Sequence, residues 1–238
     1  MRKSVFLILL CCIIVFLFSC TQQGDKGPTG PNGEDIAILQ FQTGRYPSDA
    51  YDGVTDAYLE SGFYADTNYG SYASFFVGRY VFGLHNGRER FVLKFDLSEL
   101  QNQYIKVKKA EIILYCNSGT PSSVTMTVTP YEITKVWEES EVTWNSSETS
   151  VAWTTAGGDY VATPAGSTIY IDKVNEYKIF NINASIVQKW IDNPDNNFGL
   201  IFISDTENLS GNWWVGFASK DNTNINYRPR LVIYYTLK

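Results

Sequence analysis

The side chains able to do chemistry are few and dispersed. The sole histidine, His85, lies in Gly83-Leu84-His85-Asn86-Gly87, which reads as an exposed turn, and no Gly-x-Ser-x-Gly elbow accompanies it. The densest acid cluster is Glu138, Glu139 and Glu141. Paired carboxylates can hydrolyse a glycosidic bond, but spatial separation, which sequence does not give, selects such pairs, and these three read instead as a solvated turn before Val142-Thr143-Trp144. Zinc-ligand spacings and phosphate loops are missing. No catalytic residue is therefore expected. Oxygen ligands for a hard cation are more plentiful: Asp49, Asp52, Asp56, Asp66 and Asn68 crowd one stretch, with Gly157-Gly158-Asp159 and Asp205-Thr206-Glu207 in expected loops. Calcium takes 6 to 8 such oxygens. None of these stretches has the spacing of a calcium loop, so a structural calcium is the only cofactor suggested and none is required.

Whatever these residues do, strands must position them. From Ile36 onward, apolar and aromatic runs recur between Gly, Asn, Asp and Ser clusters: IAILQF, SFFVG, RFVLKFDL, AEIILYC, TMTVTPYEI, YKIFNI, FGLIFIS, WWVGFAS and RLVIYYT. That spacing predicts an all-β antiparallel sandwich, with a jelly roll as the expected form. In RFVLKFDL, Phe91, Leu93, Phe95 and Leu97 alternate with Arg90, Val92, Lys94 and Asp96, so one face is core and the other at least partly wet. One short helix is expected near 184–192, where Ile186, Val187, Trp190 and Ile191 form an apolar stripe. Asn183 or Ser185 is placed to cap it, and Trp190 reads as a plug over an open end of the sandwich rather than a ligand platform.

The first residues read as an export signal. Arg2 and Lys3 precede an apolar run from Val5 to Phe18, 14 residues by count, against the roughly 20 a membrane-spanning helix needs. Leu17-Phe18-Ser19-Cys20 resembles the lipobox of lipoprotein signal peptidase, with a plain secretory signal as the alternative. The expected organisation is a signal peptide over 1–19, lipidated Cys20 with a spacer over 20–35, and one domain over 36–238. Gly24, Gly27, Gly30 and Gly33 keep period three, the spelling of collagen. Four triplets are short for a triple helix, so the stub reads as a spacer of roughly 37 Å, with trimer formation as the other reading.

Losing Cys11 and Cys12 with the signal and lipidating Cys20 leaves Cys116 unpaired, so the domain must be held by its core; a buried inert thiol is the expectation. Removing Arg2 and Lys3 leaves 17 of the 19 basic residues against 25 acidic ones, a net charge of −8, which disfavours nucleic acid. Aromatics at 15% exceed the needs of a core, so some face solvent where a ring can receive a ligand.

The ordered motifs Thr55-Asp56-Ala57-Tyr58, Asp66-Thr67-Asn68-Tyr69-Gly70, Arg90-Phe91-Val92-Leu93-Lys94-Phe95-Asp96-Leu97, Trp137-Glu138-Glu139-Ser140-Glu141-Val142-Thr143-Trp144-Asn145 and Arg228-Pro229-Arg230-Leu231 resemble a DNRLRE domain over residues 50–236. The resemblance implies a jelly-roll sandwich of secreted and surface proteins, grouped as a carbohydrate-binding module with alginate as a ligand. Binding of an extracellular or cell-surface polysaccharide, without catalysis, is then the expected function. Trp213 and Trp214 are the first candidates for stacking on a sugar, because adjacent strand residues face opposite ways. Tyr64, Tyr69 and Tyr72 form a second aromatic cluster. For a uronate, the expected cations are Arg79, Arg88, Arg90 and Lys220. An envelope adhesion protein with a protein partner is the alternative, and a lyase or glycosidase a third.

Overall fold

A computed structural model describes residues 35–120 and 126–238. The leader, Cys20 and the Gly-x-y stub lie outside the described residues. The strands are β1 (Ala37–Phe41), β2 (Val54–Glu60), β3 (Ser74–Phe82), β4 (His85–Phe95), β5 (Ile105–Gly119), β6 (Met126–Ile133), β7 (Ser146–Glu148), β8 (Val151–Ala152), β9 (Tyr160–Pro164), β10 (Ile169–Ile171) and β11 (Glu176–Ile182). Helix α1 (Ala184–Asp192) follows, and then β12 (Leu200–Ser204), β13 (Trp213–Ala218) and β14 (Arg230–Leu237). Hydrogen-bonded neighbours run β1-β14-β5-β13-β3-β4-β12-β6-β10, with β11 on β5, β2 on β4 and β9 on β6. The nine apolar runs named above all fall on strands, and every pairing is antiparallel, as in β2–β4, β3–β4 and β13–β3.

The strands close over one main core. Phe91 on β4 stacks between Phe75 and Phe202, at ring distances of 4.1 and 4.4 Å. Phe180 on β11 meets Phe202 on β12 edge-on at 5.1 Å, although β11 bonds to β5 and β12 to β4 and β6. That contact crosses the sandwich, so the inward residues of two layers interdigitate. Cys116 is wholly buried, and burial pushes its thiol up to about 12, which leaves it inert.

The opposite face of β4 is drier than its alternation suggests. Val92, Ala57, Leu59 and Ile201 form a second buried cluster with Trp137, Trp144 and Trp153, which the excursion between β6 and β9 lays over them. Trp137 donates to the Phe198 carbonyl at 2.8 Å and Trp153 to that of Thr143 at 3.0 Å. The tryptophans of this stretch are therefore structural, as their positions beside a turn suggest. Lys94 stays partly exposed, with its ammonium 5.3 Å from the Trp137 ring centre, and Asp96 stays exposed.

Helix α1 occupies the expected residues and buries Val187, Trp190 and Ile191. Capping is the exception. Asn183 sits at the N-cap, but its side-chain amide donates to the Pro164 carbonyl at 3.3 Å rather than satisfying a helix N–H.

Candidate functional site

Four residues on four adjacent strands lie in one register row. Trp214 of β13 faces Gly78 of β3, Gly78 faces Glu89 of β4, and Glu89 faces Glu60 of β2. Directly opposed antiparallel residues share a face, and strands lie about 4.8 Å apart, so Trp214 and Glu89 flank a gap of about 9.5 Å above a residue with no side chain. Gly78 adopts φ +124°, and a Cβ there would meet the Trp213 carbonyl at 2.2 Å, so glycine is required and the gap persists. Two residues along the strands, at the next pair on the same face, Tyr58 faces Phe91, where the apolar core begins. The row thus lies where the inward face stops being apolar.

Around this row is a cleft of about 480 Å³, lined by Tyr58, Tyr64, Thr67, Tyr69, Tyr72, Phe76, Tyr80, His85, Glu89 and Trp214, a volume in the range of small-molecule sites. Its aromatic walls brace one another. Tyr69 stacks on Tyr58 at 4.0 Å and meets Tyr72 edge-on, while Trp214 is edge-on to Phe76 and Tyr80 at 5.6 and 5.3 Å.

Glu89 lines the cleft and Glu60 is its cross-strand neighbour; both are buried but they differ in their partners. Glu60 accepts from the Tyr69 hydroxyl at 3.1 Å and is bonded to Nδ1 of His85 at 2.8 Å. The Glu89 Oε2 is buried and meets no hydrogen-bonding group among the described residues; nor does the buried Nε1–H of Trp214. Burial first, and then the neighbouring Glu60, raises the Glu89 pKa to about 8. Burial also raises the phenols of Tyr58 and Tyr69, which remain protonated donors.

The sequence candidates thus regroup. Trp214 and the tyrosines Tyr64, Tyr69 and Tyr72, far apart in sequence, line one cleft. Trp213 does not line it; its Nε1–H donates to the Ser210 carbonyl at 2.7 Å. His85, expected in an exposed turn, is instead the first residue of β4, stacked on Tyr64 at 4.4 Å and held by Glu60. The turn itself is the pair Gly83-Leu84 between Phe82 and His85.

None of the four expected cations lines the cleft. Arg90 is buried, with Nε and Nη2 each 2.8 Å from Glu207 and Nη1 donating to Gly157, so it holds the sandwich together rather than meeting solvent. Arg79 donates to Asn86 at 2.6 Å. Lys220 lies 3.4 Å from both Glu139 and Asp221. Arg88 projects over Trp144 on the other face of β4, where it lines a separate groove with Arg90, Lys135, Asp159 and Tyr160. No carboxylate pairs with the Arg88 guanidinium among the described residues.

The oxygen ligands expected for calcium are dispersed. Asp66 accepts from Asn145, Asp159 from the backbones of Thr154 and Thr155, Asp205 from that of Thr127, and Glu207 pairs with Arg90. Asn68 donates to the carbonyls of Glu139 and Val142. Asp56 alone of that stretch joins an acid group, lying with Glu139 and Asp221 so that their oxygens fall within 4.8 Å. Burial raises Asp56 well above the usual carboxylate range, and the Lys220 ammonium compensates Glu139 and Asp221. Asp49 and Asp52 take no part. Glu138 and Glu141 lie in the expected turn, and Glu141 accepts from the Thr149 backbone at 2.7 Å.

Glu60, Glu89, Tyr58, Phe76 and Tyr80 escape a reading by pattern. The first three are inward positions of strands, and the only signal was the polar residue where alternation calls for an apolar one. Compared with known families, residues 48–235 match the model of carbohydrate-binding module family 96. No curated protein matches the chain.

Proposed function

Because the chain belongs to carbohydrate-binding module family 96, we propose that its aromatic cleft binds a polysaccharide without cleaving it, on a protein held at the cell envelope by lipidated Cys20. One observation carries the choice of site: an aromatic cleft in which the Trp214 Nε1–H and the Glu89 Oε2 have no partner. A sugar ring offers an apolar C–H face to the rings, and its hydroxyls are at once donors and acceptors. An unsatisfied buried polar group costs about 1–3 kcal/mol, so a ligand that completes both groups binds more tightly than one that only stacks. The test is electrophoresis of the chain beginning after Cys20 through gels containing a panel of neutral, anionic and amino polysaccharides. Retardation by at least one polymer, weakened about tenfold by Trp214→Ala, is expected; unchanged wild-type mobility across the panel overturns the reading.

A uronate-containing chain is supported at the second groove, where Arg88 and Lys135 stand beside Tyr160. There a planar guanidinium without an acid partner can fork onto a sugar carboxylate. Loss of alginate retention in Arg88→Ala, with Trp214→Ala neutral toward alginate, is the expected result. The paired Glu60 and His85 beside a raised Glu89 also favour a catalytic reading. Release of new reducing ends or unsaturated uronates, abolished in Glu89→Gln, would replace the non-catalytic proposal.

A further inference from the structure

We infer, resting on the aromatic cleft as the sugar site, that it accepts an ammonium group carried by the glycan, seated among the aromatic rings with Glu89 as its counter-charge. The charged and titratable groups that face Glu89 are Glu60 on β2, His85 on β4, and the phenols of Tyr58, Tyr64, Tyr69, Tyr72 and Tyr80. Among the described residues no lysine or arginine lines the cleft. Arg79, Arg90 and Lys220 are held elsewhere, by Asn86, by Glu207, and by Glu139 with Asp221. The two carboxylates are therefore unequally compensated. Glu60 has His85 and the Tyr69 hydroxyl, whereas Glu89, 3% exposed, has nothing on its buried oxygen.

This arrangement selects by charge. A sugar carboxylate entering the cleft would meet Glu89, with Glu60 beside it, and the negative faces of the rings, and no lysine or arginine among the described lining residues would offset them. A neutral hydroxyl can satisfy the Glu89 oxygen but does not favour its ionised form. An ammonium supplies the counter-charge and is attracted to aromatic faces, an attraction that strengthens when water is excluded, and where it carries N–H groups it also donates to the carboxylate. The gap above Gly78, between Glu89 and Trp214, gives it a seat. Burial and Glu60 keep Glu89 largely protonated below about pH 8, so binding a cation there releases a proton. Affinity for a permanent cation then rises by up to about tenfold per pH unit between pH 6 and 8.

The ammonium can be the amine of a 2-amino sugar or a quaternary substituent on the polymer, and separate ligands distinguish them. Calorimetry of the chain beginning after Cys20 would use three probes: oligomers of 2-amino-2-deoxyglucose, the same oligomers fully N-acetylated, and tetramethylammonium chloride against sodium chloride. At pH 7 the amine-bearing oligomer, tetramethylammonium or both should bind at least about tenfold more tightly than the uncharged oligomer or sodium. Which of them does so names the source. In Glu89→Gln the preference and the pH dependence should both vanish, the ratio of amine to N-acetyl affinity falling to about one. Gln is isosteric, and the tetramethylammonium titration of the wild type needs no variant.

Equal affinity for amine and N-acetyl oligomers with no tetramethylammonium binding overturns the inference, as does a preference that survives Glu89→Gln. If Trp214→Ala still weakens glycan binding in that case, the cleft remains the sugar site and only its charge preference is wrong. If Trp214→Ala changes no affinity, the cleft reading itself fails.

Discussion

Glu89 is the residue on which stability and binding meet. Its folded pKa of about 8 stands above the unfolded value near 4.5, so the folded state holds a proton that the unfolded state gives up. The associated stability is fully present below about pH 4.5 and is lost as pH rises to about 8, an effect of the order of a few kcal/mol. Glu89→Gln should therefore gain on the wild type across that window and hold a constant advantage above it. Urea unfolding of both proteins at intervals from pH 4 to 9 measures this, and a difference that does not vary with pH would show that Glu89 is not buried as described. Arg90 carries the opposite lesson. A residue that resembles a surface sugar ligand is buried against Glu207, whereas Arg88, two positions earlier on the same strand, has no acid partner among the described residues.

At the scale of elements, the site depends on β3 coming close to β13 at Gly78. The register brings Trp214 beside Gly78, and the backbones approach so closely that any side chain would strike the Trp213 carbonyl. Gly78→Ala combines that clash with a strained positive φ, each worth about 1–3 kcal/mol. The expected outcome is a clear loss of thermal stability, together with loss of glycan retention out of proportion to the fraction unfolded. Retention that survives per folded molecule would mean that the gap is not the binding seat. Strand β2 shows why the site was hard to read from pattern. Its sequence VTDAYLE places Asp56, Tyr58 and Glu60 on the inward face. Two carboxylates where alternation predicts apolar residues hide a strand, and a polar residue buried at such a position marks function or a network rather than packing.

For the whole molecule, the expectation is a binding domain on a cord: residues 20–35 separate a lipid anchor from the sandwich. Cys20→Ser should move the protein from the membrane fraction to the soluble fraction while leaving glycan retention unchanged. Membrane association that persists in Cys20→Ser would point to a different attachment. The second tryptophan cluster gives the sandwich a covered outer face, so its two candidate grooves lie on opposite faces of β4, separated by the strand that carries Arg88 and Glu89 side by side.

By itself the amino-acid sequence determined the class of fold, the nine long apolar strands and the helix over 184–192, because period-two and helical apolar patterns report which face is buried. It also pointed to surface aromatics as the binding chemistry, and Trp214, Tyr64, Tyr69 and Tyr72 do line the cleft. Only the tertiary structure decided that these belong to one cleft, that Trp213 stands outside it, and that His85 is tied to Glu60. It alone buried Glu89 with an oxygen that meets no partner among the described residues. The reason is physical: periodicity is local, whereas a site is made by cross-strand register, and Trp214, Gly78, Glu89 and Glu60 become neighbours only when β13 is laid beside the three earlier strands β2, β3 and β4 in this register.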